Sequence, residues 1–270
     1  MLPVAAFYFA GFAVPIGIVA WYSLMPARTF DLAASPTIAN YVTAFAEGYW
    51  RPLYWSALGA ATTTLICLGL AWPTARAMLR AGRWATPVAV LIALPVFISE
   101  SVRLFGMALF MMPAGGILAG SVEALTGTSI GSILYTRPAA LLGLVYIHFP
   151  FALFPLLLGL SLVPGEQVEA ARDLGASGWQ VFREIEAPLA APGAAIGALL
   201  CFVLTLGANA EMRILGGQAV TVITHAIEQR FSYAQDWPLG SALTVLTILV
   251  TAAAVLPVLR HLDIDSLARR

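Results

Sequence analysis

Six stretches of the chain stay apolar for long enough to cross a lipid bilayer, at about residues 2–25, 53–75, 85–110, 138–162, 190–212 and 239–260. A helix rises about 1.5 Å per residue and a hydrocarbon core is about 30 Å thick, so a span needs roughly 20 apolar residues. Each run supplies them. The first is too long for a removable signal peptide, and it lacks the basic start and small-residue cleavage site of one. In the third, Glu100 and Arg103 break the apolar pattern. Between the fourth and fifth runs the pattern inverts. EAARDLGASGWQVFREIEAPLAAPG, residues 169–193, is charged and carries a glycine at a hinge position.

This insert predicts two short helices. In PGEQVEAARDLG (164–175), Pro164 suits a helix start, Glu166 and Glu169 complement the N-terminal dipole, and Gly175 stops the helix. Ser177 can cap a second helix, SGWQVFREIEAP, that ends before Pro188. On it Trp179, Phe182 and Ile185 recur every third residue as an apolar stripe, while Arg183, Glu184 and Glu186 point elsewhere. By physics alone, such a pair suits two places equally. It can lie at the membrane interface against head groups or the loop 76–84, or it can be a knob that another protein grips.

Composition supports the bilayer as solvent. The chain of 270 residues is 60% hydrophobic and 10% charged, against about 25% charged for a soluble domain. Its net charge is zero, so no broad basic surface calls for nucleic acid. All fourteen basic residues are arginine, which reads as genomic base bias. With a cytoplasmic N-terminus, Arg76, Arg80, Arg83, Arg172, Arg183, Arg260, Arg269 and Arg270 fall inside, and Arg28, Arg51, Arg137, Arg213 and Arg230 outside. Three of the inside residues crowd one short loop, where the positive-inside rule has most force. Both termini and the insert are therefore expected in the cytoplasm. Cys67 and Cys201 lie in apolar runs and read as buried thiols, with a disulfide as the alternative. No soluble domain or convincing repeat is left over, so residues 1–270 read as one membrane domain with a cytoplasmic loop at about 164–189.

The spacing inside the insert resembles the EAA loop of bacterial ABC importer permeases: E-A-A, three residues, Gly, nine residues, Ile, one residue, Leu-Pro. Glu169-Ala170-Ala171, Gly175, Ile185 and Pro188 fall in register, and only the Leu departs, being Ala187. Further stretches resemble the spermidine/putrescine permease subfamily: SPTIANYVTAF (35–45), TTTLICLGLAWPTARAM (62–78), LPVFISESVRLFG (94–106), ILGG (214–217) and DWPLGSAL (236–243). Neighbouring subfamilies for iron, sulfate or aminophosphonate share some of these markers.

The resemblance implies an all-α, six-helix, polytopic membrane protein with the type I ABC importer permease (MetI-like) fold, in the bacterial cytoplasmic membrane. It implies a loop that docks on a separate ATPase. Small Ala170 and Ala171 would allow close approach, Gly175 the turn, Trp179 or Phe182 an anchor, and Glu169, Arg172 and Asp173 charged contacts. Pro188 and Ile185 complete the motif. The implied partners are an ABC ATPase dimer, a second permease of different sequence, an external solute-binding protein and membrane lipid. The chain has no phosphate loop, so ATP and Mg are expected on the ATPase and no cofactor on this chain. A secondary transporter or channel without an ATPase is the rival, though neither inverted repeats nor a string of intramembrane acids favours it.

Departures from the relatives mark the candidate pathway. Glu100 replaces a small or uncharged residue, and Glu211 and Arg213 replace an apolar residue and a proline. Charges at membrane depth are costly, so they face a cavity or a partner. Glu100 and Arg103 either neutralise each other at i,i+3 or line the pathway with Glu211 and Arg213. The acids suit a cationic solute, the arginines an anionic group, and all four together a zwitterion. His148 reads as a helix-packing histidine, His225 and Tyr233 as members of an outside loop, and His261 as interfacial. GGILAGSVEALTG (115–127) reads as a short outside helix. No metal cluster and no nucleophile–base pair stands out, so no catalytic site is expected.

Overall fold

The computed structural model describes residues 4, 7–112, 116–127, 131–217 and 221–261, the last by its backbone alone. In chain order the helices are α1 (Val14–Tyr22), α2 (Ala39–Ala46), α3 (Trp50–Arg80), α4 (Ala85–Ala93), α5 (Glu100–Met111), α6 (Ile117–Thr126), α7 (Arg137–Ser161), α8 (Gly165–Asp173), α9 (Gly178–Val181), α10 (Ala187–Leu206), α11 (Ile223–Ser232) and α12 (Trp237–His261). The described residues contain no strand. The chain forms two compact units, one of residues 1–58 with 221–254, the other of 59–220 with 255–270.

Among the described residues, four helices are long and apolar enough to cross a membrane: Trp50–Arg80, Arg137–Ser161, Gly178–Leu206 and Trp237–Arg260. The first expected span is described as a shorter apolar helix, Phe9–Tyr22, and most residues before it lie outside the described ones. The third expected span, 85–110, is not straight. Gly82–Phe97 and Glu100–Met111 are together long and apolar enough for one span but meet at 102°. Pro95 sits in a 3-10 turn, Leu94–Phe97, after which Ile98 (φ −90°, ψ 140°) and Ser99 (φ −50°, ψ 134°) are extended and stop the helix. The fifth expected span, 190–212, begins earlier and ends earlier than its apolar run. Its helix ends at Leu206, capped by Gly207, so Glu211 lies past it on a separate turn.

In the first unit, Ala44, Ile223, Ala226, Leu239 and Leu243 form the buried cluster, with Tyr49, Leu53, Ile227 and Leu246 against it. The SPTIANYVTAF stretch explains itself here. Asn40, 2% exposed, donates from Nδ2 to the carbonyls of Ser23 (2.9 Å) and Met25 (2.7 Å), closing the turn after α1. Asn40→Ala should cost about 1–3 kcal/mol, because both carbonyls lose their donor in a buried place. A lowered thermal midpoint of the purified protein checks this. Asp236 of DWPLGSAL, 5% exposed, accepts from the amides of Arg28 (3.3 Å) and Leu239 (3.4 Å) and so starts α12.

The second unit carries the larger core. Cys67, Ala71, Ala75 and Met78 of α3 meet Ala152, Leu153, Leu156 and Leu160 of α7 and Ala190 and Cys201 of α10, with Val88, Ala89 and Ile92 of α4 against them. Both cysteines are buried free thiols. Glycine sets the spacing of α7 and α10. A Cβ at Gly193 would lie 2.4 Å from the Pro155 carbonyl oxygen, and one at Gly197 would lie 2.7 Å from that of Ala152. Thr136 caps α7 by accepting from the Ala139 amide at 3.3 Å.

Candidate functional site

The polar insert is built from its own caps outward. α8 closes with a complete Schellman arrangement: the Gly175 amide bonds the Arg172 carbonyl and the Ala176 amide bonds that of Ala171, both at 2.9 Å. Gly175 stands at φ +85°, a conformation side chains with Cβ branching resist. Ser177 and Gln180 then form a capping box that starts α9. Glu169, Ala170, Arg172 and Asp173 are exposed and Ala171 half-buried.

The second short helix does not end before Pro188. A π turn, Phe182–Glu186, joins α9 to α10, and Pro188 sits in the first turn of α10. The Ala187 amide reaches the Phe182 carbonyl, one residue further back than in an α-helix. That widened turn takes up the proline, whose missing N–H and bulky ring would break a regular helix at this point. The insert therefore runs straight into a span as one helical rod, Gly178–Leu206.

The expected stripe divides in the same way. Trp179 is 67% exposed, whereas Phe182 and Ile185 are half-buried. Trp179 stacks on Phe182 (5.1 Å between centroids), and Phe182 meets the Trp72 ring of α3 edge-on at 4.9 Å. Leu174, which the stripe does not include, is 89% exposed. Leu174 and Trp179 are thus the most exposed large apolar side chains of the insert.

The second constellation is a cavity of about 590 Å³ lined by Glu100, His148, Asn209, Glu211 and Arg213, with Leu204 and Ile214 among its apolar wall. The geometry follows from the ILGG stretch. Leu215, fully buried, fills the space over Gly143 of α7, and the Tyr135 amide bonds its carbonyl at 2.8 Å. This pins the turn Met212–Gly216, whose Ile214 and Leu215 pack with Leu104 and Met111 of α5, and places Glu211 and Arg213 in one cavity with Glu100. Glu211 is 2% exposed, and its Oε1 lies 3.9 Å from His148 Nε2. His148 Nδ1 sits 2.9 Å from the Leu144 carbonyl, a bond that leaves Nε2 facing the acid.

Three of the four expected pathway residues, Glu100, Glu211 and Arg213, line this cavity together. Arg103 stands behind the wall, with its Nε buried and lacking a hydrogen-bond partner, near enough for its charge to act on Glu211 and His148. No ion pair between Glu100 and Arg103 occurs among the described residues, so the i,i+3 alternative fails. Both residues lie on α5, Glu100 exposed at its first position and Arg103 half-buried one turn on. His148 and Asn209 were missed as cavity residues. His148 read as packing because its neighbours are apolar, and nothing in the sequence paired it with an acid 63 positions away.

The family profile described as "Binding-protein-dependent transport system inner membrane component" matches residues 66–263. The chain belongs to that family. It is a multi-pass permease subunit of an inner membrane transport system. The spermidine/putrescine transport system permease protein PotB of Haemophilus influenzae is 31% identical over 216 residues, 79% of this permease and 76% of the relative. PotB of Escherichia coli is 29% identical over 221 residues, 82% and 80% of the two chains. The molybdenum transport system permease protein ModB of Azotobacter vinelandii is 27% identical over 203 residues, 72% of this permease and 87% of ModB.

Solved structures share the permease fold. A chain of a bacterial alginate ABC transporter, in complex with an alginate pentasaccharide-bound periplasmic protein, superposes with a TM-score of 0.77 at 16% identity. That match covers 95% of this permease and 90% of the other chain. A chain of the MetNI methionine ABC transporter gives 0.58 at 17% identity, covering 78% and 92%. The all-α importer permease fold expected from the EAA spacing is therefore the fold of this chain.

Proposed function

We propose that this permease forms half of the pathway for a polyamine or related amine, driven by a separate ATPase dimer that grips residues 164–189. The observation that carries the solute reading is the cavity in which Glu100 and Glu211 meet His148 and Asn209. Two carboxylates in one small cavity favour ammonium groups, and a hydrogen-bonding imidazole and amide add directional contacts. The similarity to PotB of two species supports the same solute class.

In this reading the loop faces the cytoplasm, as do both termini, and the solute-binding protein delivers from outside. A second permease of different sequence completes the pathway. ATP and magnesium bind the ATPase subunits, whose closure draws the two coupling segments together and rocks the permease halves to receive solute. Glu169, Ala170, Ala171, Arg172 and Asp173 form the docking face, with Leu174 and Trp179 as its apolar anchors. Tryptophan and arginine are enriched among the residues that carry interface energy, which suits Trp179 and Arg172.

Glu211→Gln in the reconstituted complex should lower uptake of a radiolabelled polyamine by roughly tenfold, the effect of about 1.4 kcal/mol. Glu100→Gln should act in the same direction but more weakly, since Glu100 is exposed where Glu211 is buried. Undiminished uptake by the double variant, in a complex of native thermal stability, would refute the amine reading. Selective loss of an anionic solute on Arg213→Gln would replace it with the anion reading that Arg213 supports.

A further inference from the structure

We infer that Arg76 and Glu186 form the strut by which the coupling segment moves the rest of the permease, a positioning pair for transport rather than a contact with solute or ATPase. The inference rests on the coupling reading above. Arg76 Nη2 lies 3.0 Å from Glu186 Oε1. Glu186 is 7% exposed, yet its second oxygen, Oε2, is buried without a hydrogen-bond partner. A buried carboxylate with one cation beside it cannot let that cation go cheaply, because the charge would be stranded away from water.

Local geometry turns this pair into a mechanical link. Trp72 and Arg76 stand four apart on α3, and Phe182 and Glu186 stand four apart on the rod. The Trp72–Phe182 ring contact and the Arg76–Glu186 ion pair are therefore two rungs, one turn apart, between the same elements. Apolar rungs alone can slide, since burial is not directional. An ion pair at hydrogen-bonding distance fixes the register between the two helices.

The π turn is what puts Glu186 there. Val181 and Glu186, five apart, share the buried side of the segment, a place that in an unbroken α-helix falls to Ile185. The extra residue rotates the acid inward and leaves Ile185 half-buried. In the EAA spacing Glu186 is the unspecified residue between the Ile and the Ala-Pro, so the motif gives it no role. Arg76 belongs to the crowd of arginines that charge bias alone would assign to the membrane surface. A push on α8 and α9 thus reaches α3 through these two rungs as well as α10 through the continuous backbone.

The test uses the complete complex, with ATPase, second permease and binding protein, in proteoliposomes. Copurification, ATP hydrolysis and polyamine uptake are measured for Glu186→Gln, Arg76→Gln, and the exchange Arg76→Glu with Glu186→Arg. Each single variant should keep the ATPase bound but take up about tenfold less solute per ATP hydrolysed, within the range typical of linked sites. The exchange should recover at least half of the loss. A native uptake-to-hydrolysis ratio in both single variants, or an exchange no better than either, overturns the strut. Should the Gln variants fail to assemble, Glu186→Asp decides, since it keeps the charge and shortens its reach: a lowered ratio supports the strut and a native ratio overturns it. Leu174→Ala with Trp179→Ala tests docking separately. If that variant keeps both ATPase and transport, the docking reading fails by its own experiment.

Discussion

Gly193→Leu should leave no folded permease to purify. A Cβ at this position would lie 2.4 Å from the Pro155 carbonyl oxygen and 2.8 Å from the Gly159 Cα, both backbone atoms that cannot rotate away. The reverse view is as tight: a Cβ at Gly159 would come 3.0 Å from the Ala190 oxygen and 3.1 Å from the Gly193 Cα. Overpacking a core usually costs about 1–3 kcal/mol when side chains can yield, and here the two helices must separate instead. Their separation opens the cluster around Leu153, Leu156 and Ala190, all fully buried. Gly193→Ala should assemble with a clearly lowered thermal midpoint, and Gly197→Ala, 2.7 Å from the Ala152 oxygen, with a smaller loss. Size-exclusion profiles of tagged variants in detergent separate these outcomes. A monodisperse Gly193→Leu complex with native stability would mean that α7 and α10 do not approach through glycine.

Gly175→Val should have the opposite profile, intact folding with coupling lost. No atom lies within 4 Å of a Cβ built on Gly175, so the substitution meets no steric obstacle. Its cost is in the backbone, which stands at φ +85°. The left-handed region costs a non-glycine residue about 1–2 kcal/mol, and branching at Cβ adds to that. The cheapest relief is to straighten the turn between α8 and α9, which would carry Leu174 and Trp179 off the positions they share. Gly175→Asn should be milder than Gly175→Ala, and Val the most severe, because asparagine tolerates this conformation best. Solute-stimulated ATP hydrolysis in proteoliposomes gives the order. Full coupling in the Val variant would remove Gly175 from the mechanism.

The caps of the insert were legible because their signals are local. Pro164, Glu166 in the first turn, Gly175 and Ser177 act within a few residues of themselves, and α8 starts and stops and α9 starts where they say. Pro188 misled because a proline ends an α-helix but not one preceded by a π turn, and no residue type marks that turn. Glu100, Glu211 and Arg213 were legible as anomalies, charges at odds with an apolar setting. Their common cavity was not, since it depends on a 102° corner and on Leu215 seating over Gly143. His148 and Arg76 lay beyond reach for one reason: each takes its meaning from a partner far along the chain. The sequence G-A-A-I-G at 193–197 did carry a small-xxx-small signature of close helix approach. Only the structure names α7 as its partner.

The corner at Ile98–Ser99 has a consequence for how the polypeptide enters the membrane. Ser99 makes no side-chain bond to the opening amides of α5, so those donors must find partners outside the helix. Hydrocarbon offers bare amides nothing, and each costs several kcal/mol there. Segment 85–111 is therefore a poor candidate to be released sideways into lipid by the insertion machinery as a lone hairpin. It needs water or a polar protein surface at the corner. A break of this kind is tolerated at membrane depth only where water or other protein surrounds it, so the corner marks a point at which this segment cannot face lipid alone.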